Sequence, residues 1–234
     1  MSANDNFTLR DGTGLVLFKI RAKDVSTAGD GSLQAIRHSA TPYPVDYGLG
    51  GCFQITSKSG SMAAGLTANS PIYAFRWVSS TLLGILRRVR ITVATTTTGF
   101  AAGQMTFDLF RAQSWSAADT GGVTDTLGID NGNLRTSMPG SVLSEIRHSS
   151  TAALTAGTRT LDAQPHDSLA LQAATAATTV IASRALIFDK GGAADHPLVM
   201  AQNEGFVIQA TVPATGVWAF AITPEWDEVT SQNY

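Results

Sequence analysis

Charged side chains are scarce in this chain, at 15% of its 234 residues, whereas an average globular protein has roughly 25%. The 16 Lys and Arg and the 18 Asp and Glu leave a net charge of -2. Because no overall positive field attracts phosphate groups, we expect no nucleic-acid partner. The surface must instead be polar through Thr, Ser, Asn, Gln and backbone groups.

Cysteine is nearly missing from the sequence. The single residue, Cys52, cannot form a disulfide within the chain, which is typical of a protein that folds in a reducing cytoplasm. Its neighbours (GGCF) differ from those around cysteine nucleophiles, and no G-x-S-x-G elbow, P-loop or dinucleotide fingerprint occurs. We therefore predict that the protein is not an enzyme and binds no cofactor.

No long apolar run is present either. Residues 169–188 form the most apolar long stretch, but Thr, Gln, Ser and Arg184 interrupt it, so it lacks the continuous hydrophobicity of a bilayer span. Residues 1–10 (MSANDNFTLR) have no basic region followed by an apolar one, so we expect no secretory signal. These patterns predict no membrane partner.

The sequence has no pattern of metal ligands. Its four histidines are scattered and each lies beside residues typical of loops, which predicts solvated side chains rather than a metal centre. They are His38, His148, His166 and His196. The oxygen-rich residues 128–133 (GIDNGN) leave a calcium site open as an alternative, although the spacing of an EF-hand and its terminal Glu are missing.

Two acidic residues, Glu225 and Asp227, flank Trp226. Glycoside cleavage requires a pair of carboxylates that face each other across a groove. Side-chain alternation along a strand, however, puts both acids on the face opposite Trp226. We therefore favour a strand that leaves the core and meets water at this point.

The sequence does contain short apolar runs separated by clusters of Gly, Ser, Thr, Asn and Pro, which is typical of a sheet protein with frequent turns. Three runs alternate apolar and polar residues with a period of two, as half-buried strands do: residues 88–93, 104–109 and 205–212. The arginines at 87, 88 and 90 are then interpreted as the solvent face of a strand rather than a phosphate site.

Residues 217–222 (VWAFAI) are apolar on both faces, which predicts a central strand covered on two sides. The preceding residues 213–216 (PATG) predict a hairpin between this strand and the one before it. Residues 112–141 are mostly Gly, Asp, Thr, Ser and Asn around Trp115, and they predict a long surface excursion.

Together these features predict an all-β fold: a single antiparallel β-sandwich, jelly-roll-like, with an extended N-terminal arm. We place the arm, with one short strand, at residues 1–32 and the sandwich body at residues 33–234. The low charge, the arm and the long loops of small residues favour symmetric packing against copies of the same chain. We expect a homo-oligomer, with a trimer as one candidate.

Several segments resemble virion structural proteins of tailed phages. They are residues 203–218 (NEGFVIQATVPATGVW), 225–229 (EWDEV), 60–66 (GSMAAGL), 75–77 (FRW) and 134–138 (LRTSM). The resemblance spans residues 60–228 loosely and consists of strand and turn patterns, without reactive motifs. It implies a virion protein, assembled in the host cytoplasm, that decorates or cements the capsid by binding the major capsid protein or another virion protein.

Two alternatives remain open at this point. One is a tail, collar or fibre-knob component that binds a host receptor, and the other is a hydrolase of cell-surface polysaccharide. Phe7 and Leu9, apolar residues on a polar arm, are the candidates for anchoring to a partner. Tyr43, Tyr47 and Trp115 are expected in loops, where they would contact carbohydrate or protein.

Overall fold

The computed structural model describes residues 6–10, 16–21, 51–63, 66, 69–127, 132–134, 140–141, 144–190 and 196–230. Backbone contacts divide the chain into two units, Met1–Ala40 and Thr41–Tyr234. In the first unit, β1 (Asn6–Arg10) and β2 (Val16–Arg21) pair antiparallel. The sequence analysis expected only one of these two strands.

The strands of the second unit are connected by turns and loops of small and polar residues. In chain order they are β3 (Gly51–Gln54), β4 (Ser57–Lys58), β5 (Met62–Ala63), β6 (Ser70–Trp77), β7 (Leu82–Thr98), β8 (Gln104–Trp115), β9 (Val123–Asp125), β10 (Ser144–His148), β11 (Arg159–Leu161), β12 (Asp167–Gln172), β13 (Val180–Asp189), β14 (Leu198–Met200), β15 (Gly205–Thr211) and β16 (Val217–Thr230).

These strands form two antiparallel sheets. The first sheet has the order β3-β16-β7-β13, and the second contains the order β6-β15-β8-β12. If only these eight strands are counted in chain order, the first sheet has the order 1-8-3-6 and the second has the order 2-7-4-5. This is the strand order of a jelly roll, so the predicted fold class is confirmed.

The shorter strands lengthen or widen this framework. β4 and β5 continue the line of β3 along β16, β14 continues the line of β13 along β7, and β11 continues the line of β12 along β8. β10 and β9 add to the second sheet beside β6. Long central strands are thus paired along most of their length, which satisfies their backbone groups.

The core lies between the two sheets and is built from the alternating residues. The predicted inward sets are buried: Val89, Ile91 and Val93; Met105, Phe107 and Leu109; Phe206, Ile208, Ala210 and Val212; and Trp218, Phe220 and Ile222. Aromatic rings join the sheets at its centre. Phe75 stacks on Phe206 with 5.1 Å between ring centroids, and it meets Trp226 edge-on at 5.2 Å.

Two predictions about the last strands are wrong. β15 pairs with β6 and β8, whereas β16 pairs with β3 and β7, so residues 213–216 cross from one sheet to the other and form no hairpin. Gly216 enables this crossing, because its φ of 109° is strained for any residue with a side chain. The outward residues Val217, Ala219 and Ala221 are only half-buried, so β16 is not covered on both sides.

Candidate functional site

The outer face of the first sheet carries a network of charged side chains. Arg87 Nε on β7 donates a hydrogen bond to Asp227 Oδ2 on β16, and the two side chains are 12% and 2% exposed. Glu228, the next residue of β16, faces the core side of the sheet, where its Oε1 lies 3.5 Å from Trp226 Nε1, and it is 4% exposed. The sequence analysis expected this end of β16 to meet water. That expectation is wrong for Asp227, whose carboxylate pairs with Arg87 on β7 and lies beside Cys52 on β3.

Burial is the largest influence on the pKa values of Asp227, Glu228 and Cys52. It raises the pKa of Asp227, although the Cys52 thiol and the Arg87 charge both favour the ionised carboxylate. It also raises the pKa of Glu228, against hydrogen bonds from Ser141 and Trp226. The pKa of the half-buried Cys52 thiol rises to about 12, first through burial and then through the hydrogen bond to Asp227. Such a thiol is a poor nucleophile.

The more exposed part of this face is a polar groove of about 320 Å³. Arg90 Nη2 donates to Gln54 Oε1 at 2.8 Å and lies 3.7 Å from Glu225 Oε2. The exposed Arg184 also lines the groove, together with Thr56, Thr92 and Thr223. The hydroxyl and guanidinium groups suit a polar or acidic partner surface.

A second polar cluster is buried between the sheets. Ser57 Oγ on β4 donates a hydrogen bond to Asp125 Oδ2 on β9, and His148 Nδ1 on β10 lies 3.3 Å from the same oxygen. His148 is 5% exposed, so the prediction of a solvated loop histidine is wrong here. Burial, and then the charge of Asp125, raises the pKa of Tyr73 well above its usual range.

This cluster holds the side-chain types of a catalytic triad in an order that does not activate the serine. In a triad the histidine lies between the hydroxyl and the carboxylate, and it removes the proton of the hydroxyl. Here Asp125 lies between Ser57 and His148. The Ser57 hydroxyl donates directly to the Asp125 carboxylate, so the hydrogen bond links the two sheets and His148 does not accept the serine proton.

The outer face of the second sheet is partly covered by residues 116–122 and 150–158. Trp115, the last residue of β8, is 3% exposed beneath them and packs with Leu154 and Val207. The guanidinium of Arg159 lies 5.7 Å from the centre of the Trp115 ring. The prediction of an exposed loop tryptophan is therefore wrong. Trp115 fills a small core of its own.

Arg159 is held in this small core by an ion pair. Its Nη1 donates to Asp119 Oδ2, and the two side chains are 5% and 1% exposed. Burial lowers the pKa of Arg159 to about 10. The other oxygen of Asp119 accepts a 2.8 Å hydrogen bond from the backbone N–H of Gly157. The Asp119 carboxylate thus joins residues 116–122 to Gly157 and to Arg159.

Exposed apolar side chains mark the edge strand of the first sheet. Val180 is 63% exposed and Leu186 is 46% exposed, both on β13. The register of β13 against β7 shifts three times, and Arg184 has a positive φ of 52°. Such irregularity protects an edge from uncontrolled strand pairing. The sequence analysis did not single out these residues, although β-branching predicted a strand near Val180.

The remaining predicted site residues have different outcomes. Phe7 and Leu9 lie in β1, opposite Ile20 and Phe18 of β2. Tyr43 and Tyr47 lie outside the residues that the structure describes. The same is true of residues 128–131, which make up most of the proposed calcium loop.

No protein-family model, curated protein or solved structure matches the chain. Within the described ranges, no three His, Cys, Asp or Glu side chains come together as a set of metal ligands. The same part of the chain contains no helix of the length and hydrophobicity that a membrane crossing requires.

Proposed function

We propose that the protein is a non-enzymatic structural component of a virion, and specifically a decoration or cement protein of a tailed-phage head. The jelly-roll strand order carries this proposal, because viral capsid proteins are a major class built on it. Lectins and cupins share this architecture, so the fold alone supports a virion role only by analogy. The resemblance of residues 60–228 to tailed-phage virion proteins favours the virion among these classes.

The N-terminal hairpin supports a cementing role. Its backbone register pairs Phe7 of β1 with Ile20 of β2 and Leu9 with Phe18. A two-stranded hairpin is at best marginally stable by itself and needs a surface to pack against. In the proposed role Phe7 and Leu9 anchor the protein to a neighbouring virion subunit.

The body adds weaker contacts to this anchor. The polar groove beside Arg90 and the exposed Val180 and Leu186 offer hydrogen-bonding and apolar contacts on and beside the first sheet. Each contact is weak, but repetition over a lattice of identical subunits makes their sum large. The partners in this proposal are further copies of the chain, as a homo-oligomer such as a trimer, and the major capsid protein or another virion protein.

Gradient-purified particles test the proposal directly. Quantitative mass spectrometry is expected to find this chain in a copy number comparable to that of the major capsid protein. A copy number of only a few per particle would favour a tail, collar or fibre-knob component, and absence from the particles would contradict a virion role. Protein added back to particles that lack it is expected to bind and to raise their melting temperature.

The anchor is tested by a matched pair of variants in β1. The double variant Phe7→Ser, Leu9→Ser removes the two apolar side chains, whereas Thr8→Ser changes the polar residue between them. We expect the double variant to lose most of its particle occupancy while the control binds as the wild type does. Equal occupancy of all three proteins would contradict anchoring through the hairpin.

A further inference from the structure

Three hydrogen-bond donors on the outer face of the second sheet are withdrawn from solvent and have no acceptor in the described part of the chain. They are Arg76 Nε, Arg147 Nε and Trp115 Nε1. All three residues line one small cavity of about 10 Å³, which is enough for the centre of one water-sized particle. Buried donors are almost always paired, so their shared position indicates a ligand.

The strand register explains why these donors meet. Ala74 pairs with Arg147, and Arg76 pairs with Glu145, so the two arginines are diagonal neighbours on one face of β6 and β10. The Trp115 ring extends over Gly205 of β15 to reach this face. A Cβ added to Gly205 would lie 2.9 Å from that ring. The small residues beneath the cavity thus leave room for the three larger side chains around it.

The arginines are held in place by their other nitrogen atoms. Arg76 Nη2 donates to Asn203 Oδ1 at 2.7 Å, and Arg76 Nη1 lies 3.4 Å from Glu145 Oε2. Arg147 Nη1 donates to the carbonyl of Gly121 at 2.7 Å. These hydrogen bonds fix the ends of both guanidinium groups, and their Nε atoms have no acceptor in the described residues.

The charges around the cavity do not cancel. Arg76 and Arg147 line it together with Glu145 and Asp119, and Arg159 pairs with Asp119. Three cations against two carboxylates leave one positive charge. A water molecule would find acceptors in Glu145 and Asp119, but it would leave that charge unneutralised. An anion neutralises the excess and is the type of acceptor that the three donors lack.

We propose that this cavity is a binding site for one small monatomic anion, with chloride as the solution species. The cavity is too small for a tetrahedral oxyanion such as sulfate or phosphate to enter whole. A bound halide joins β6 and β10 to Trp115 and to the covering residues 116–122. It therefore stabilises the folded state in proportion to its occupancy.

Thermal unfolding at constant ionic strength tests the site. We expect the melting temperature to rise saturably, by about 3 °C, when sodium chloride or bromide replaces sodium gluconate. Trp115→Phe, which keeps the ring and removes the N–H, and Arg147→Lys are expected to lose this rise. Arg184→Lys, a matched change at an exposed arginine on the other sheet, is expected to keep it.

Crystals of the wild-type protein in sodium bromide provide a second readout that depends on no variant. An anomalous peak between the Nε atoms of Arg76 and Arg147 and Nε1 of Trp115 is the expected result. A cavity without such a peak, filled by water alone, would overturn the proposal. So would equal wild-type melting temperatures in chloride and in gluconate.

Discussion

Asp227 on β16 and Arg87 on β7 form an ion pair across two central strands, with side chains that are only 2% and 12% exposed. Withdrawing both charges from water is costly, so the pair contributes to stability only while each partner is present. The Cys52 thiol is a further hydrogen-bond partner of the carboxylate. On the same face of the sheet, the side chains of Arg90 and Glu225 are more exposed, at 16% and 25%.

Replacement of one partner is expected to be strongly destabilising. Asp227→Ala leaves the Arg87 guanidinium buried without its carboxylate, which costs about 3–5 kcal/mol of the free energy of unfolding. The matched control is Asp162→Ala, because Asp162 pairs with an Arg111 side chain that is 48% exposed. Exposed pairs contribute about 1 kcal/mol or less. Urea denaturation measures both, and equal losses would contradict the account.

The buried carboxylates predict a pH dependence of stability. Burial raises the pKa of Glu228 from its ordinary value of 4.5, so the folded protein holds this proton more tightly than the unfolded chain. The tighter binding of this proton adds to the free energy of unfolding. That contribution is fully present below pH 4.5 and is lost as the pH rises through the raised pKa of Glu228. Glu228→Gln is neutral throughout. Its free energy of unfolding, relative to the wild type, should therefore increase between pH 4 and pH 7.

Urea denaturation of both proteins at several pH values measures this difference. A difference that stays constant with pH, or that falls as the pH rises, would show that the native protein does not retain the proton of Glu228.

Cys52 is expected to react slowly in the folded protein. A pKa of about 12 against an ordinary value of 9.0 leaves roughly a thousandfold fewer thiolates near pH 8, and the thiolate is the reactive form. The rate of alkylation by iodoacetamide, followed by intact mass, should therefore rise by at least about a hundredfold in urea. Similar rates in native and unfolded protein would contradict this environment.

Gly205 is expected to be irreplaceable in β15. An added Cβ would lie 1.9 Å from the carbonyl oxygen of Phe75 on the neighbouring strand, so Gly205→Ala must displace backbone. We expect a loss of about 3 kcal/mol. Gly103→Ala is the control, because the nearest atom to its Cβ is 3.4 Å away on Pro213. Thermal unfolding compares the two, and equal melting temperatures would refute the predicted clash.

The inward residues of the long strands could be predicted from the sequence because alternation is a local property. Val89, Ile91 and Val93 alternate with polar residues, and burial in the structure follows that pattern. Alternation identifies a face but not a pairing partner. The short turn at residues 213–216 therefore indicated a hairpin, whereas the chain crosses there between two sheets.

Burial that depends on distant segments could not be predicted in this way. Trp115 lies in a stretch of polar and small residues, and its cover comes from residues 150–158 as well as from neighbours along the chain. His148 is buried beside Asp125, 23 positions earlier in the sequence, through the pairing of β9 with β10. Asp227 is buried because its partner Arg87 lies on another strand.

The measurement that tests the central claim most directly is a cryo-electron microscopy map of the virion that contains this protein. The account predicts density for a jelly-roll body at repeated positions on the outside of the head shell, with the hairpin of β1 and β2 against a neighbouring subunit. A map that fits the chain only in the tail would contradict head decoration. A virion map with no density for the chain at any position would contradict the structural role itself.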